Sequence, residues 1–369
     1  MRPTETWRAR VWLFALLALA GTCANESCAQ PGRVDVLDPR ALPLGDGKVS
    51  SEPRRGHVFS CTTHFRGGGA QHAGGWIHGS TWDATKKIIV QGELAWPNAT
   101  LSVITANGER QVRSNGLPVN HTTGRFPVRQ SDPAYAIDRN PNTISPQQIA
   151  FSLPLSPVLA AAPECVPMGM IGILSSGVAL FNALDAGGRD AAAHEVQDHC
   201  NGHPQMTGQY HYHGPTPCVP GVADNNKLIG YALDGFGIYS MYDENGRELT
   251  NADLDECHGR VGRIAWDGKE VAMYHYVLTR EYPYTIGCFR GTPLRVQMRV
   301  GGGPPEGTRP AGSPGGPAGG GRQPPAEAIA ACAGLSSGSQ CRFTSPRGDS
   351  IAGTCRTPAG ALACVPDLR

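Results

Sequence analysis

Alternation of apolar and polar side chains along the chain predicts strands far more often than helices. Leu101, Val103 and Thr105 alternate up to Asn107-Gly108, after which Arg110 and Val112 resume, the pattern of a hairpin closed by a type I′ turn. Lys86–Leu94, Gln148–Leu153, Gly177–Leu184, Gln209–His213, Leu228–Leu233, Val271–Thr279 and Leu294–Val300 are further strand candidates, and one short helix is predicted over Asp190–Val196. Strands separated by turn residues, with few long helical periods, predict a mainly β main domain of sandwich or barrel-like form.

That domain is expected over 56–300, after a loose segment at 30–55 that shows no periodicity. From 301 to 327 the chain is rich in glycine and proline and holds no large apolar side chain, so it is expected to be a flexible linker. The linker leads to a small disulfide-rich C-terminal domain at 328–369. Cys332, Cys341, Cys355 and Cys364 are spaced there with eight, thirteen and eight residues between them. Zinc sites usually pair cysteines two to four residues apart, so two disulfides are expected, in a connectivity that spacing leaves open. Six more cysteines, Cys61, Cys165, Cys200, Cys218, Cys257 and Cys288, suggest three disulfides in the main domain, with a Cys200/Cys218 pair bracketing a histidine-rich stretch.

The amino terminus has the three-part order of a secretory signal peptide at 1–29: Arg2, Arg8 and Arg10, an apolar run from Val11 to Gly21, then small residues. The run is about half the ~20 residues of a spanning helix, so no integral membrane span is expected after cleavage. Cleavage after Ala24 or after Ala29 fits; the second leaves an even number of cysteines and is favoured for an oxidising compartment. The chain is therefore read as secreted or periplasmic. With a formal net charge of +1 it has no electrostatic footprint for nucleic acid.

Seven of the 12 histidines fall between His194 and His275. On a strand over Gln209–His213, His211 and His213 project from one face and Tyr210 and Tyr212 from the other. Two imidazoles on one face can meet one ion, and His203, Asp198 and Asp234 are the candidates to complete the set. Imidazole with carboxylate suits a transition metal (zinc, copper, iron or manganese) better than calcium. Met168, Met170 and Met206 raise the question of copper, although Met168 and Met170 read as easily as core or loop residues. The competing reading is a buried tyrosine–histidine hydrogen-bond network without an ion. Under it the protein is a non-catalytic extracellular module, with Trp76, Trp82, Trp96 and Trp266 offered to a glycan or an extracellular protein partner. Asp234-Gly235 and Asp185 also read as turn formers. No Gly-x-Ser-x-Gly elbow or phosphate loop is present, and His194-Glu195 lacks the second histidine of a metalloprotease helix, since position 198 is Asp.

Tyr210-His211-Tyr212-His213, preceded by Gly202-His203-Pro204 and followed by Leu228–Tyr239, resembles the YHYH domain family. Tyr274-His275-Tyr276-Val277, Tyr282-Pro283-Tyr284 and Gly287–Gly291 resemble its closing segment, so the likeness spans about 150–291. Where family members often carry Asn-Gly, this chain has Ser176-Gly177. The resemblance implies an exported domain and no established reaction.

Overall fold

A computed structural model describes residues 37–65, 67–294, 326–344, 350–357 and 362–366. The expected signal peptide, most of the linker and all but Leu294 of the Leu294–Val300 strand lie outside these residues. The chain divides into two compact units, one ending at Gly302 and the other beginning at Gly303. Among the described residues no helix is long and apolar enough to cross a membrane.

The larger unit is mainly β. Its centre is one open, mixed eight-stranded sheet in the order Gly202–Pro204, Tyr210–Tyr212, Ala179–Phe181, Met170–Leu174, Leu228–Ala232, Gly237–Tyr239, Lys269–Val277, Gly259–Trp266. Ile171, Ile173, Leu180, Ile229, Ile238 and Tyr276 from this sheet are fully or almost fully buried in one continuous core. The hairpin Leu101–Ala106/Glu109–Ser114 forms as its sequence predicts, with Asn107 and Gly108 both at positive φ, and adds Ile149–Pro154 as a third strand.

Two expectations give way. Lys86–Leu94 is not a strand: only isolated bridges at Val90 and Leu94 remain, and Gly92 at φ +104° turns the chain between them. The described part of the segment expected to be loose, 37–55, holds two short strands, Leu42–Pro43 against Thr81–Trp82 and Val49–Ser50 against Val58–Phe59. Two-residue strands leave no periodic signature. This segment is tied down instead by side chains, with Gly45 N donating to Asp190 Oδ2 (2.9 Å) and Asp46 at 2.9 Å from His194 Nε2.

The sheet is built twice over. Met170–Arg189 and Leu228–Arg247 align without a gap, matching Ile171-Gly172 with Ile229-Gly230, Gly177 with Gly235, Asp185 with Asp243, and Gly188-Arg189 with Gly246-Arg247. In each half a hairpin is followed by a strand that joins it in parallel and a strand antiparallel to that one. The halves meet at the antiparallel pair Ile173 and Tyr231, which are themselves equivalent positions, so an approximate two-fold axis passes there. The match continues past the hairpins. Asp198 accepts from Cys200 N, Gly202 N and the Tyr210 hydroxyl, and Asp255 accepts from Cys257 N, Gly259 N and the Tyr274 hydroxyl. A Cβ on Gly202 would sit 2.2 Å from Tyr210 Oη, and one on Gly259 2.2 Å from Tyr274 Oη. Glycine at both places is a steric requirement of the tyrosine–aspartate contact.

The smaller unit is a three-stranded antiparallel sheet, Gln340–Thr344, Ser350–Arg356 and Ala363–Pro366, stapled by Cys332–Cys355 and Cys341–Cys364. The helix Ala326–Ala330 precedes it and takes in the last two residues assigned to the linker. Its few buried apolar residues are too small a core to hold without the staples.

Candidate metal centre

Antiparallel pairing sets His203 directly across from His211, with ring centroids 4.6 Å apart. His213 follows two residues on, so its side chain returns to the same face, and its ring lies 4.8 Å from that of His211. Phe181, on the neighbouring parallel strand, stacks on His211 at 3.9 Å. The fourth group is Glu195. It stands at the C-cap of the short helix Ala191–His194, whose N-terminus is capped by Asp190 through Ala193 N. Lys87 fixes the same turn from outside, with Nζ on the Ala192 carbonyl and 2.8 Å from Gln197 Oε1. Glu195 Oε2 lies 3.4 Å from His203 Nε2 and 3.5 Å from His213 Nε2.

Hydrogen bonds at the far side of two rings fix their tautomers. His211 Nδ1–H donates to Gln209 O (3.1 Å) and His213 Nδ1–H to Asn182 O (2.5 Å). Both Nε2 atoms therefore carry lone pairs, and these face each other at 3.0 Å. His203 Nε2 is buried with no hydrogen-bond partner. Burial disfavours protonation of all three, holding His203 and His211 well below the usual imidazole range and pushing His213 down to about 4. Glu195 is pushed the other way, well above the usual carboxyl range, by burial first and by the neighbouring Asp185 and Asp138 charges next. Converging lone pairs with no proton between them can hold a cation. Three of the donor separations, 3.0, 3.4 and 3.5 Å, lie near the ~3.3 Å edge of a tetrahedron with metal–nitrogen bonds of about 2.0–2.1 Å, and the three imidazole donors all lie within 4.8 Å of one another. The donor set fits a transition metal.

His203, His211 and His213 are thus brought together as the sequence suggests, and Tyr210 and Tyr212 point to the opposite face. Asp198 and Asp234 are not brought to them. Asp198 lies among the tyrosines, accepting both from the Tyr210 hydroxyl and from Gly124 N (2.7 Å). Asp234 belongs to the other half of the sheet, where it accepts from the Tyr276 hydroxyl (2.5 Å), Gly291 N and Phe236 N. Glu195 takes the place expected for a carboxylate. Of the three methionines, Met170 is in the core, Met206 is exposed, and Met168 Sδ contacts the Asn182 amide. Trp76, Trp82 and Trp266 are buried and Trp96 is half-buried with its indole N–H on Thr123, so they form no open aromatic platform.

The second half of the sheet lacks the cluster. Arg260 pairs with His275 where His203 pairs with His211, and Val277 stands in the place of His213. Arg260 donates from Nη2 to Glu244 (3.1 Å) and from Nε to His275 Nε2 (3.4 Å). The scaffold around this position is otherwise kept, including the Nδ1–H bond of His275 to a carbonyl two residues back.

No curated protein and no solved structure is detectably similar to the chain. Residues 150–249 match the family model described as YHYH protein, and they include every residue of the cluster. The segment that gathers the three histidines and Glu195 is a YHYH domain.

Proposed function

We propose that His203, His211, His213 and Glu195 together hold one transition-metal ion in an exported protein. The observation that carries this reading is the 3.0 Å approach of the two Nε2 atoms while both Nδ1 atoms face carbonyl oxygens, an arrangement that leaves the Nε2 lone pairs free for an ion. Three imidazoles and a carboxylate suit zinc, copper, iron or manganese. Five disulfides among the described residues support an oxidising compartment, either periplasmic or extracellular.

The metal-free network is the weaker reading because the chain carries its own control. The second half keeps the same strands, the same Asp–Tyr contact and the same imidazole orientation with Arg260 and Val277 in place of two histidines. A second half built without a three-histidine cluster favours a role for the cluster other than folding. Four protein donors make a closed set, as in sites that retain their ion. The Glu195 side chain is more exposed than those of its two histidine neighbours, 12% against 4% for His203 and His213. It is the ligand position at which water or a substrate can enter if the ion does chemistry.

The test is elemental mass spectrometry on protein made in an oxidising host, alongside a His211→Ala/His213→Ala variant. One ion per chain in the wild type, none in the variant, and a fall in melting temperature on chelation are expected. Absence of stoichiometric metal from the wild type, with a melting temperature indifferent to chelator, overturns the proposal.

A further inference from the structure

Behind the histidine strand, on the face where the tyrosines point, an imidazole is held against a disulfide. His121 Nδ1 lies 3.2 Å from Cys200 Sγ, in the Cys200–Cys218 bridge. Its proton is placed by its two other contacts. Nε2 accepts from the Tyr212 hydroxyl (2.6 Å), which leaves the hydrogen on Nδ1, directed at Thr122 O (2.7 Å) and the sulfur. The two sulfurs are unequal: Cys200 is fully buried, whereas Cys218 is half-exposed. The equivalent bridge of the second half, Cys257–Cys288, is buried at both ends. Among the described residues, no imidazole bonds to either of its sulfurs, and Cys288 Sγ contacts the Glu256 carbonyl instead (3.6 Å).

We propose that Cys200–Cys218 is an exchange-active disulfide, opened by an external dithiol, with His121 assisting the departure of Cys200. A thiolate of the dithiol attacks Cys218 Sγ, the sulfur of the less buried cysteine. The sulfur–sulfur bond breaks, and its electron pair leaves on Cys200 Sγ, where the His121 Nδ1–H stabilises the new thiolate. Exchange is faster when the leaving sulfur is better stabilised as an anion. The second thiol of the reagent then attacks the mixed disulfide, releasing Cys218 as a thiol and leaving the dithiol oxidised. Two electrons pass from the dithiol to the bridge. The proposal does not rest on the metal reading, because none of its reacting atoms belongs to the histidine cluster.

Two measurements on the full oxidised chain test it. In limiting dithiothreitol, differential alkylation and mass spectrometry follow each bridge, with the more exposed Cys61–Cys165 as an internal clock. His121→Ala is expected to slow the opening of Cys200–Cys218 roughly tenfold relative to that clock. An unchanged ratio overturns the proposal. In the wild type, a brief acid-quenched exposure to glutathione is expected to leave the adduct on Cys218. An adduct on Cys200, or none on either, overturns it equally, and this arm needs no variant to fold.

Discussion

The Tyr210 hydroxyl donates to both carboxylate oxygens of Asp198, at 2.9 and 2.8 Å, and the Tyr274 hydroxyl makes the equivalent bond to Asp255 at 3.1 Å. The two contacts are alike in topology and unlike in burial, since Asp198 is fully buried and Asp255 half-buried. Hydrogen bonds to a charged partner contribute about 1.5–3 kcal/mol, and loss is costliest where water cannot replace the donor. Tyr210→Phe is expected to lower unfolding free energy by about 2 kcal/mol, and Tyr274→Phe by about 1 kcal/mol. Urea denaturation of the two variants checks the order, and a larger loss at Tyr274 would contradict it.

The second half of the sheet prescribes which substitutions should remove the metal without harming the fold. His203→Arg combined with His213→Val installs the residues found at Arg260 and Val277. The double variant is expected to fold with the circular dichroism and cooperativity of the metal-free wild type, and to bind no metal. The guanidinium at position 203 has a carboxylate within reach in Glu195, much as Arg260 has Glu244. If the cluster were a structural network, losing two buried histidines would instead cost several kcal/mol. Melting curves in chelator and metal content in its absence separate the two outcomes.

His258 gives a pH signature free of the candidate ligands. It sits at φ +69°, equivalent to Asn201 at φ +57°, with Nε2 2.9 Å from Thr279 Oγ1. Burial pushes its pKa from 6.5 down to about 3. A depressed imidazole pKa gives stability that is fully present above pH 6.5 and lost as pH falls towards 3, because the unfolded chain takes the proton first. The slope for one such group is about 1.4 kcal/mol per pH unit. His258→Asn places a residue that accepts the left-handed conformation and removes the titration. The stability gap between wild type and variant should therefore shrink by about 2 kcal/mol between pH 7 and pH 5. A gap that stays constant across that range would mean His258 is not buried as neutral imidazole.

How far these features could be read from sequence depended on where their signal lies. Asn107-Gly108 declared its hairpin because both residues tolerate positive φ. Strand periodicity put His211 and His213 on one face, and Cys200–Cys218 closed as its bracketing position suggested. Asp198 was misplaced because nearness in sequence says nothing about side: it folds back as a loop cap on Cys200 N and Gly202 N. Glu195 gave no usable signal, since it reaches the histidines only through the end of a one-turn helix. The duplication was hidden for a related reason. Its matches are few, chiefly glycines, turn aspartates, one isoleucine, one cysteine, the Gly-Arg pairs and the Tyr-His-Tyr strand, and the loops between Asp and Tyr differ in length in the two halves.

Glu195 separates the two readings of the cluster most sharply. With its carboxyl held well above the usual range, a metal-free network would keep it protonated and donating to His203 or His213, which lie 3.4 and 3.5 Å away. A glutamine amide can supply the same donation from the same position. Glu195→Gln should then leave both the melting temperature and the folding of the metal-free protein close to wild type. An ion sees a different change. The variant removes the only anionic ligand, leaving the positive charge in a buried site with neutral donors, where charge is least screened. Metal affinity is expected to fall at least tenfold, by analogy with the 10- to 100-fold losses seen even for groups one step removed from an ion. Competition against a chromogenic chelator reads that loss directly. Unchanged affinity in Glu195→Gln would remove Glu195 from the ligand set and leave the three histidines to hold the ion alone.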